Sequence, residues 1–273
     1  MNNKAGSLLW KVYLESSDSN PPVYSYLFGT MHSASIQAWS HMEAIKPIIL
    51  KCAHFFGETS EEGLAPKGKI WDLPEDWQGS RHLVGKKRFE KINRLLVRQY
   101  NLHLERLDPI PPLMIMSIIS ESMMCHRQGN IAILDQELWQ FAKKLGIPAE
   151  GIESAREQFA IYSQIPFLYQ CRQLKKMLLN LSGSRKNILM LANAYQKNDP
   201  DALFRLSKKS LGEVRRILLY NRNKVMAARI SQILNNREPN FVAIGAAHLP
   251  GTKGVLRYLK REGIHAEPVP LEN

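Results

Sequence analysis

The chain of 273 residues is 44% hydrophobic, which is enough to bury a sizeable core and excludes a wholly disordered protein. Its 37 Lys and Arg residues outnumber its 25 Asp and Glu residues, so the formal net charge is +12. Such an excess is compatible with a nucleic-acid partner, an acidic substrate or an anionic membrane surface.

The sequence contains no pattern typical of a membrane segment, a secretory signal or a disulfide framework. No stretch approaches the roughly 18 to 20 apolar residues of a membrane span, and the N-terminus lacks the sustained apolar stretch of a signal peptide. The three cysteines, Cys52, Cys125 and Cys171, lie far apart, which favours free thiols over disulfides or a zinc site. A cytoplasmic protein without a transmembrane segment is therefore expected.

The positive charge is partly concentrated in residues 81–106, which hold eight Lys or Arg residues and two acids. Within this segment Lys87, Lys91, Arg94 and Arg98 recur at helical spacing, a pattern typical of a solvated helix face. Because no helix-turn-helix, RNP-type aromatic pattern or zinc finger accompanies them, a specific nucleic-acid partner is not predicted.

The N-terminal part of the chain predicts three strands and one helix. Leu8–Leu14 is apolar with alternation, Val23–Phe28 is aromatic and β-branched, and Cys52–Glu58 is an apolar run that ends on an acid. Residues 40–53 place their apolar side chains on one side of a helix. The first part of the chain is therefore expected to contribute strands to a sheet.

The middle of the chain, from about residue 70 to 235, is predicted to be mainly helical. One short strand interrupts it, in the segment GIPAEGIES that runs into Glu153. The expected helical segments are Lys86–Arg98, Leu113–Met124, Ile133–Lys144 and a longer stretch from Glu157 to Leu234.

The C-terminal part returns to strands, FVAIG from Phe241 and IHAEPV from Ile264, on either side of a helix in TKGVLRYLKREG. Strands at both ends of the sequence with helices between them predict an α/β fold, whose central mixed sheet is built from the N- and C-terminal strands. The helical insertion at about 70–235 would form a cap within a single domain that comprises residues 1–273.

Two of the predicted strands lead into the same pattern, Gly-x-x-His, at Gly29 and His32 and again at Gly245 and His248. Glycine permits a tight turn or a close approach of the backbone to a ligand, and imidazole is either a neutral metal ligand or a base that titrates near neutral pH. A single histidine in a loop is usually a surface or hydrogen-bonded residue. Two of them at strand ends predict a site at the carboxyl edge of the sheet, where ligands commonly bind.

Three charged residues are candidates for this site. Glu58 follows an apolar strand and is either the carboxylate of the site or a solvated loop acid. Glu153 is assigned first to the N-terminus of the next helix, with a catalytic role as the alternative. Arg222 is either a surface residue or a group that holds a substrate carboxylate or a developing oxyanion. A helix beginning near Thr252 would also direct free N–H groups toward the loop of His248, as an anion site.

The motifs HExxH, GxSxG, Walker A and GxGxxG are absent from the sequence. Five segments instead resemble, in the same order, those of the TraB/GumN family, which includes the Tiki-like metalloproteases and is grouped with the erythromycin esterases and ChaN-like proteins. The resemblance extends from SLLWKVYLES to HAEPV. The segments are LFGTMH, FFGET, LDQELWQFAKKLGIPAEGIESAREQ, NRNKVMAARI and AIGAAHLPGTKGVLRYLKREG.

The resemblance implies an α/β scaffold of the erythromycin esterase/ChaN-like type with a metal-dependent, peptidase-like site. It makes His32, Glu58 and His248 the expected ligands of a divalent metal, with manganese or cobalt favoured over zinc. The further positions that match the family, and are expected to line the site, are Gly29, Gly245, Asp135, Glu153, Gln158, Arg222 and Asn223.

Three functions are compatible with these residues and with the resemblance. The first is a metal-dependent hydrolase of amide bonds, in which Glu58 is a ligand or general base and Arg222 stabilises the oxyanion. The second is a metal-independent esterase-type hydrolase in which a histidine activates water. The third is a protein that binds haem, a metal or an anionic ligand without turnover. The expected partner is a peptide or small-molecule substrate, and assembly into a homo-oligomer is left open.

Overall fold

The computed structural model describes residues 6–14, 22–60, 73–108, 110–124 and 132–271. These residues form a mixed α/β fold with a six-stranded sheet, and each strand predicted from the sequence is present with its ends displaced by no more than about two residues. The strands are β1 (Leu9–Leu14), β2 (Ser25–Thr30), β3 (His54–Thr59), β4 (Ala149–Glu153), β5 (Asn240–Gly245) and β6 (Ile264–Val269).

The strand order in the sheet is β4-β3-β5-β2-β1-β6. The first four strands in this order pair in parallel, whereas β1 is antiparallel to both β2 and β6. The sheet is therefore mixed, and N-terminal β2 and β3 flank C-terminal β5. Because parallel strands end on the same side, the carboxyl ends of β2, β3, β4 and β5 all lie at one edge.

The helices cover much of the remaining described chain. The long helical stretch predicted for residues 157–234 is divided, since Pro166 and Pro200 lack the backbone N–H that a helix interior requires and lie at helix starts instead. The helices are α1 (Ile36–Trp39), α2 (Met42–Ile49), α3 (Ser80–Val84), α4 (Lys86–Tyr100), α5 (Pro112–Met124), α6 (Leu134–Lys144), α7 (Ala155–Ser163), α8 (Phe167–Leu179), α9 (Leu181–Gln196), α10 (Pro200–Leu211), α11 (Arg222–Leu234) and α12 (Val255–Arg261). Short 3₁₀ turns occupy Leu104–Leu107, Gly212–Val214 and Ala246–His248, and Arg216–Asn221 is π-helical.

Alternate residues of the central strands pack into two apolar clusters, one on each face of the sheet. Phe28 and Phe241 belong to the first cluster, and their neighbours Leu27 and Val242 belong to the second. Buried side chains of α2 and α6 complete the first cluster, and those of α11 and α12 complete the second. The central strands are thus covered on both faces, as parallel strands usually are, and their carboxyl ends are left for the site.

The chain divides into two compact units. The described residues of Met1–Pro66, Ile131–Tyr162 and Leu191–Asn273 form the unit with the sheet, and those of Lys67–Asn130 and Ser163–Met190 form a helical unit. The segment predicted as a cap at about 70–235 is therefore divided between the units, because β4 belongs to the sheet and α6, α10 and α11 pack against it.

The helical unit has an apolar core of its own, to which α4 contributes Phe89 and Leu96. The basic side chains predicted to share one face of α4 are exposed, which agrees with a solvated helix face: Lys87, Lys91, Arg94 and Arg98.

Two of the cysteines predicted to be free, Cys52 and Cys171, are free and buried. Cys125, the third, lies outside the described residues. Among the helices that the structure describes, none is both long enough and apolar enough to cross a membrane.

Candidate active site at the carboxyl edge of the sheet

The ends of the four parallel strands bring the predicted residues to one edge of the sheet. The strands follow in the order β4, β3, β5, β2 along this edge, so Glu153 and Glu58 lie on neighbouring strands. The third strand along the edge is β5, which ends at Gly245 and leads into His248. The fourth is β2, which precedes His32.

The glycine of the second Gly-x-x-His motif makes room for a carboxylate and for its own histidine. The backbone N–H of Gly245 donates a hydrogen bond to Glu58 Oε2 at 2.7 Å. A Cβ atom at Gly245 would lie 3.1 Å from Glu58 Oε2 and 3.3 Å from His248 Cδ2, closer than most real Cβ contacts. This position therefore favours glycine because Glu58 and the imidazole share the space where a side chain would begin.

The glycine of the first motif serves the packing of the two strand ends. A Cβ atom at Gly29 would lie 2.8 Å from Leu249 Cδ1 and 3.0 Å from the Cα atom of Ala246. The backbone of β2 can thus approach the turn that follows β5. The two Gly-x-x-His motifs are in direct contact through this glycine.

Arg222 lies between two carboxylates. Its side chain is only 7% exposed, and it begins α11 directly after the π-helical segment. Its Nε donates to both carboxylate oxygens of Glu153 at 3.1 Å, and one terminal nitrogen donates to Glu153 Oε2 at 2.6 Å and to Glu58 Oε1 at 2.5 Å. Of the two roles considered for Arg222, a surface residue is excluded.

His248 is buried, and its neighbours assign its tautomer. The Nδ2 group of Asn223 donates to the backbone carbonyl of Lys253 at 2.6 Å, so the Oδ1 atom of Asn223 is the acceptor that faces His248 Nδ1 at 2.5 Å. His248 Nδ1 then carries the proton, and Nε2 is unprotonated and has a lone pair that can accept a hydrogen bond. This Nε2 lies 3.5 Å from Arg222 Nη1 and 3.9 Å from Glu58 Oε2.

The protonation states follow from burial and from this pairing. Burial lowers the pKa of His248 to about 4, with Arg222 acting in the same direction, so the imidazole is neutral at pH 7. Burial opposes ionisation of Glu58, but Arg222, His248 and the Gly245 N–H outweigh it and bring the pKa of Glu58 to about 2. Burial raises the pKa of Glu153 above its usual range, although Arg222 opposes the change. The site therefore combines an ionised Glu58, a charged Arg222 and a neutral base.

Acidification is expected to destabilise the fold in part through His248. Because the pKa of His248 is about 4 in the folded state and ordinarily 6.5, the unfolded chain takes up this proton first, and stability falls as the pH drops from 6.5 toward 4. Glu58 adds a further loss below pH 4.5, its ordinary pKa, since its folded pKa is about 2. Urea unfolding of the parent and of His248→Gln, measured from pH 7 to 3, should show a shallower fall for the variant above pH 4. Parallel curves over that range would contradict this assignment.

His32 has a different partner. The Oγ1 hydroxyl of Thr30 donates to Asp135 Oδ1 at 2.7 Å, and the other carboxylate oxygen of Asp135 lies 3.4 Å from His32 Nδ1. That second oxygen is buried and accepts no hydrogen bond within the described part of the chain. The His32 side chain is 56% exposed, so the first motif presents an accessible imidazole backed by a carboxylate.

The helix start after β4 uses residues other than Glu153. Ser154 and Glu157 form a capping box, in which each side chain accepts the backbone N–H of the other residue at 3.2 and 2.8 Å. The first assignment of Glu153, to the N-terminus of the following helix, is therefore replaced by its pairing with Arg222. Gln158 lies in α7, is half-buried, and donates its backbone N–H to the Ser154 carbonyl at 3.1 Å.

Two residues near this cluster were not predicted. Arg229 of α11 donates to the backbone carbonyl of Ile152 at 2.5 Å and pairs with Glu157, which fixes α11 against β4. Tyr162 is in the same charged surroundings: burial raises its pKa, and the charge of Arg222 opposes that shift. The Ser-x-x-Glu spacing of Ser154 and Glu157 is a signal that could have located the helix start, whereas no local pattern singles out Arg229 or Tyr162.

The helix expected to begin near Thr252 begins at Val255 and has seven residues. Residues 251–254 form a turn instead, so the N–H groups predicted to bind an anion there do not belong to the first turn of a helix.

The predicted metal ligands are not gathered around one point in this arrangement. Among the described residues, no three His, Cys, Asp or Glu side chains are grouped so that they could hold one. The cation that Glu58 and His248 face is the guanidinium of Arg222. Metal binding by His32, Glu58 and His248, with manganese or cobalt favoured, stays a prediction, and it would place the ion close to the charged Arg222.

Sequence comparison agrees with the arrangement of these residues along the chain. A sequence model of the TraB/PrgY/gumN family matches residues 8–268. The chain belongs to the TraB/PrgY/gumN family. The match includes all six strands except the last residue of β6, and every predicted site residue from Gly29 to His248. The family resemblance inferred from the motifs is thereby confirmed.

Two curated relatives of this family member are named metalloproteases. Metalloprotease TIKI2 of Danio rerio is 26% identical over 324 residues, which covers 97% of this chain and 61% of the relative. The Metalloprotease TIKI homolog of Amphimedon queenslandica is 23% identical over 325 residues, which covers 96% of this chain and 61% of the relative. The chain thus spans about three fifths of the length of each relative. No solved structure matches it.

Proposed function

We propose that this member of the TraB/PrgY/gumN family is a hydrolase that cleaves amide or ester bonds at the carboxyl edge of its sheet. The observation that carries the proposal is the unprotonated Nε2 of His248, which Asn223 orients toward Glu58 and Arg222. A peptide is the first substrate class to test, because the matched relatives are named metalloproteases, and a small ester is the second.

In this proposal His248 accepts the proton of the attacking water. Its Nδ1–H is held by Asn223, which leaves Nε2 as the basic atom and fixes the plane of the ring. The carboxylate of Glu58, with its nearer oxygen 3.9 Å from Nε2, stabilises the imidazolium that forms. Because the pKa of Glu58 is about 2, this carboxylate stays ionised throughout the reaction.

Arg222 has one nitrogen available for the developing oxyanion. The carboxylates of Glu58 and Glu153 occupy Nε and one terminal nitrogen. The other terminal nitrogen, Nη1, makes only long contacts, at 3.4 Å to the Leu218 carbonyl and 3.5 Å to His248 Nε2. A carbonyl oxygen placed beside His248 would meet a charged donor that two carboxylates hold in position.

Metal-dependent peptide hydrolysis is the second candidate, and the names of the two relatives favour it. The residues that would hold the ion are His32, Glu58 and His248, whose Nε2 is already in the form that binds metals. A bound divalent ion would supply a water of lowered pKa and polarise the carbonyl. For Glu58 to serve as a ligand it would bind the ion through Oε2, since Arg222 holds Oε1, and the ion would lie close to the guanidinium.

Metal content distinguishes the two candidates. If the second holds, protein purified without chelator and loaded with manganese or cobalt should retain about one ion per chain, and His32→Ala and His248→Ala should each retain at least tenfold less. The matched control is His82→Ala, an exposed histidine of α3 in the other compact unit. Equal metal contents in the parent and both site variants would rule out the predicted ligand set.

Turnover tests the proposal itself. The parent should hydrolyse at least one member of a panel of fluorogenic peptides and nitrophenyl esters, and His248→Ala should not. Absence of turnover in the parent, with and without manganese or cobalt, would overturn the proposal. If no turnover is found, an absorbance band of bound haem on titration of the parent with haem would favour the third function, ligand binding without turnover.

A further inference from the structure

A second site is formed where the π-helical segment and its flanking turns approach the residues before α12. Its cavity has a volume of about 470 Å³, within the range of roughly 300–1,000 Å³ that small-molecule sites usually have. The wall carries four cationic side chains and one acid. The charged lining residues are Arg215, Arg216, Lys224, Lys253 and Glu213.

The π-helical segment places several of these residues on one side of the chain. A π-helix repeats about every four to five residues, so residues 216, 220, 221 and 224 follow one another along the same face. All four contribute to the cavity wall.

The cationic groups are not neutralised by neighbouring acids. Within the described part of the chain, Arg215, Arg216, Lys224 and Lys253 take part in no ion pair, although Lys253 Nζ lies 5.1 Å from the ring centroid of Tyr220. Glu213 is the acid that accompanies them in the wall. A concave surface lined by like charges concentrates its potential and attracts a ligand of opposite charge.

We propose that this cavity binds a small organic anion that carries adjacent phosphate groups. Two neighbouring arginines present planar forks that match phosphate oxygens, and the two lysines add point charges that suit a polyanion. The volume exceeds what a single phosphate ion fills, so the ligand has an organic part, which the rings of Tyr220 and Tyr258 in the wall would contact.

The cavity is connected to the candidate active site by one side chain. The backbone carbonyl of Lys253, a wall residue, accepts a hydrogen bond from Asn223 at 2.6 Å, and Asn223 also orients His248 at 2.5 Å. The proposed phosphate site does not depend on the hydrolase proposal, because His248, Glu58 and Arg222 do not line the cavity.

Isothermal titration with ATP tests the inference, and inorganic pyrophosphate serves as the competitor. The parent is expected to bind one ATP saturably at 0.15 M salt, and excess pyrophosphate should displace it. The double variant Arg215→Ala/Arg216→Ala should raise the Kd at least tenfold, whereas Arg215→Lys/Arg216→Lys should raise it less, because the point charges remain.

The matched control removes the same charge elsewhere. Lys87→Ala/Arg94→Ala alters two exposed basic residues of α4 and should change the Kd less than twofold. Equal weakening by both double alanine variants would show general attraction of anions and overturn the site. Lack of saturable ATP binding in the parent would also overturn it. The same holds if the parent binds a DNA duplex in preference to ATP.

Discussion

The Arg222→Met variant is expected to lose about 3–5 kcal/mol of its free energy of unfolding, the cost of breaking a buried ion pair by removing one partner. The side chains of Arg222, Glu153 and Glu58 are only 7%, 3% and 18% exposed, so little water is available to solvate the two carboxylates left behind. Methionine fills a similar volume, which keeps the cavity contribution small. Urea or guanidinium unfolding at pH 7 measures the loss.

Arg229→Met is the matched control for this variant. Arg229 lies on the same helix and also pairs with a glutamate, but its side chain is 34% exposed and that of Glu157 is 45% exposed. Its replacement should cost about 1 kcal/mol. The triple variant Glu58→Gln/Glu153→Gln/Arg222→Met should regain stability relative to Arg222→Met, since it leaves no unpaired charge. An Arg222→Met protein as stable as Arg229→Met would contradict the central position of Arg222.

The His248→Ala variant is expected to lower kcat/KM by about 10²–10⁴, the usual contribution of a positioned general base. The loss should fall mainly on kcat, because Nε2 is required for proton transfer more than for binding. Its measurement uses whichever peptide or ester the parent hydrolyses. Asn223→Ala should cause a smaller loss of kcat, since the imidazole remains but its Nδ1–H is no longer held.

A chemical rescue separates loss of the base from loss of structure. Imidazole added to His248→Ala should restore part of the rate, because the cavity left beside Glu58 and Arg222 can admit it. His82→Ala, which alters an exposed histidine, should have the rate of the parent. If His248→Ala has the kcat of the parent, His248 is not the general base. Failure of rescue together with a lowered unfolding midpoint would assign the loss to structure.

Most of the strands could be predicted because they are short and mainly apolar runs with a clear end. FVAIG ends on Gly245, and the apolar run before Glu58 ends on that acid, so both ends are visible in the sequence. The helix start after β4 was misassigned because two acids, Glu153 and Glu157, lie near it in sequence. The structure separates them, since Ser154 and Glu157 cap α7 while Glu153 faces Arg222.

The sequence by itself determined the strands, the two Gly-x-x-His ends and the family, since all three depend on residues close together in the chain. Only the tertiary structure decided the partners of the charged groups. Arg222 is 164 residues from Glu58 and 69 from Glu153, and His248 is 25 from Asn223. The order of the strands in the sheet brings these distant residues together, and no local sequence pattern encodes that order. Burial in that shared space, which lowers the pKa of His248 to about 4, is likewise a property of the packed edge.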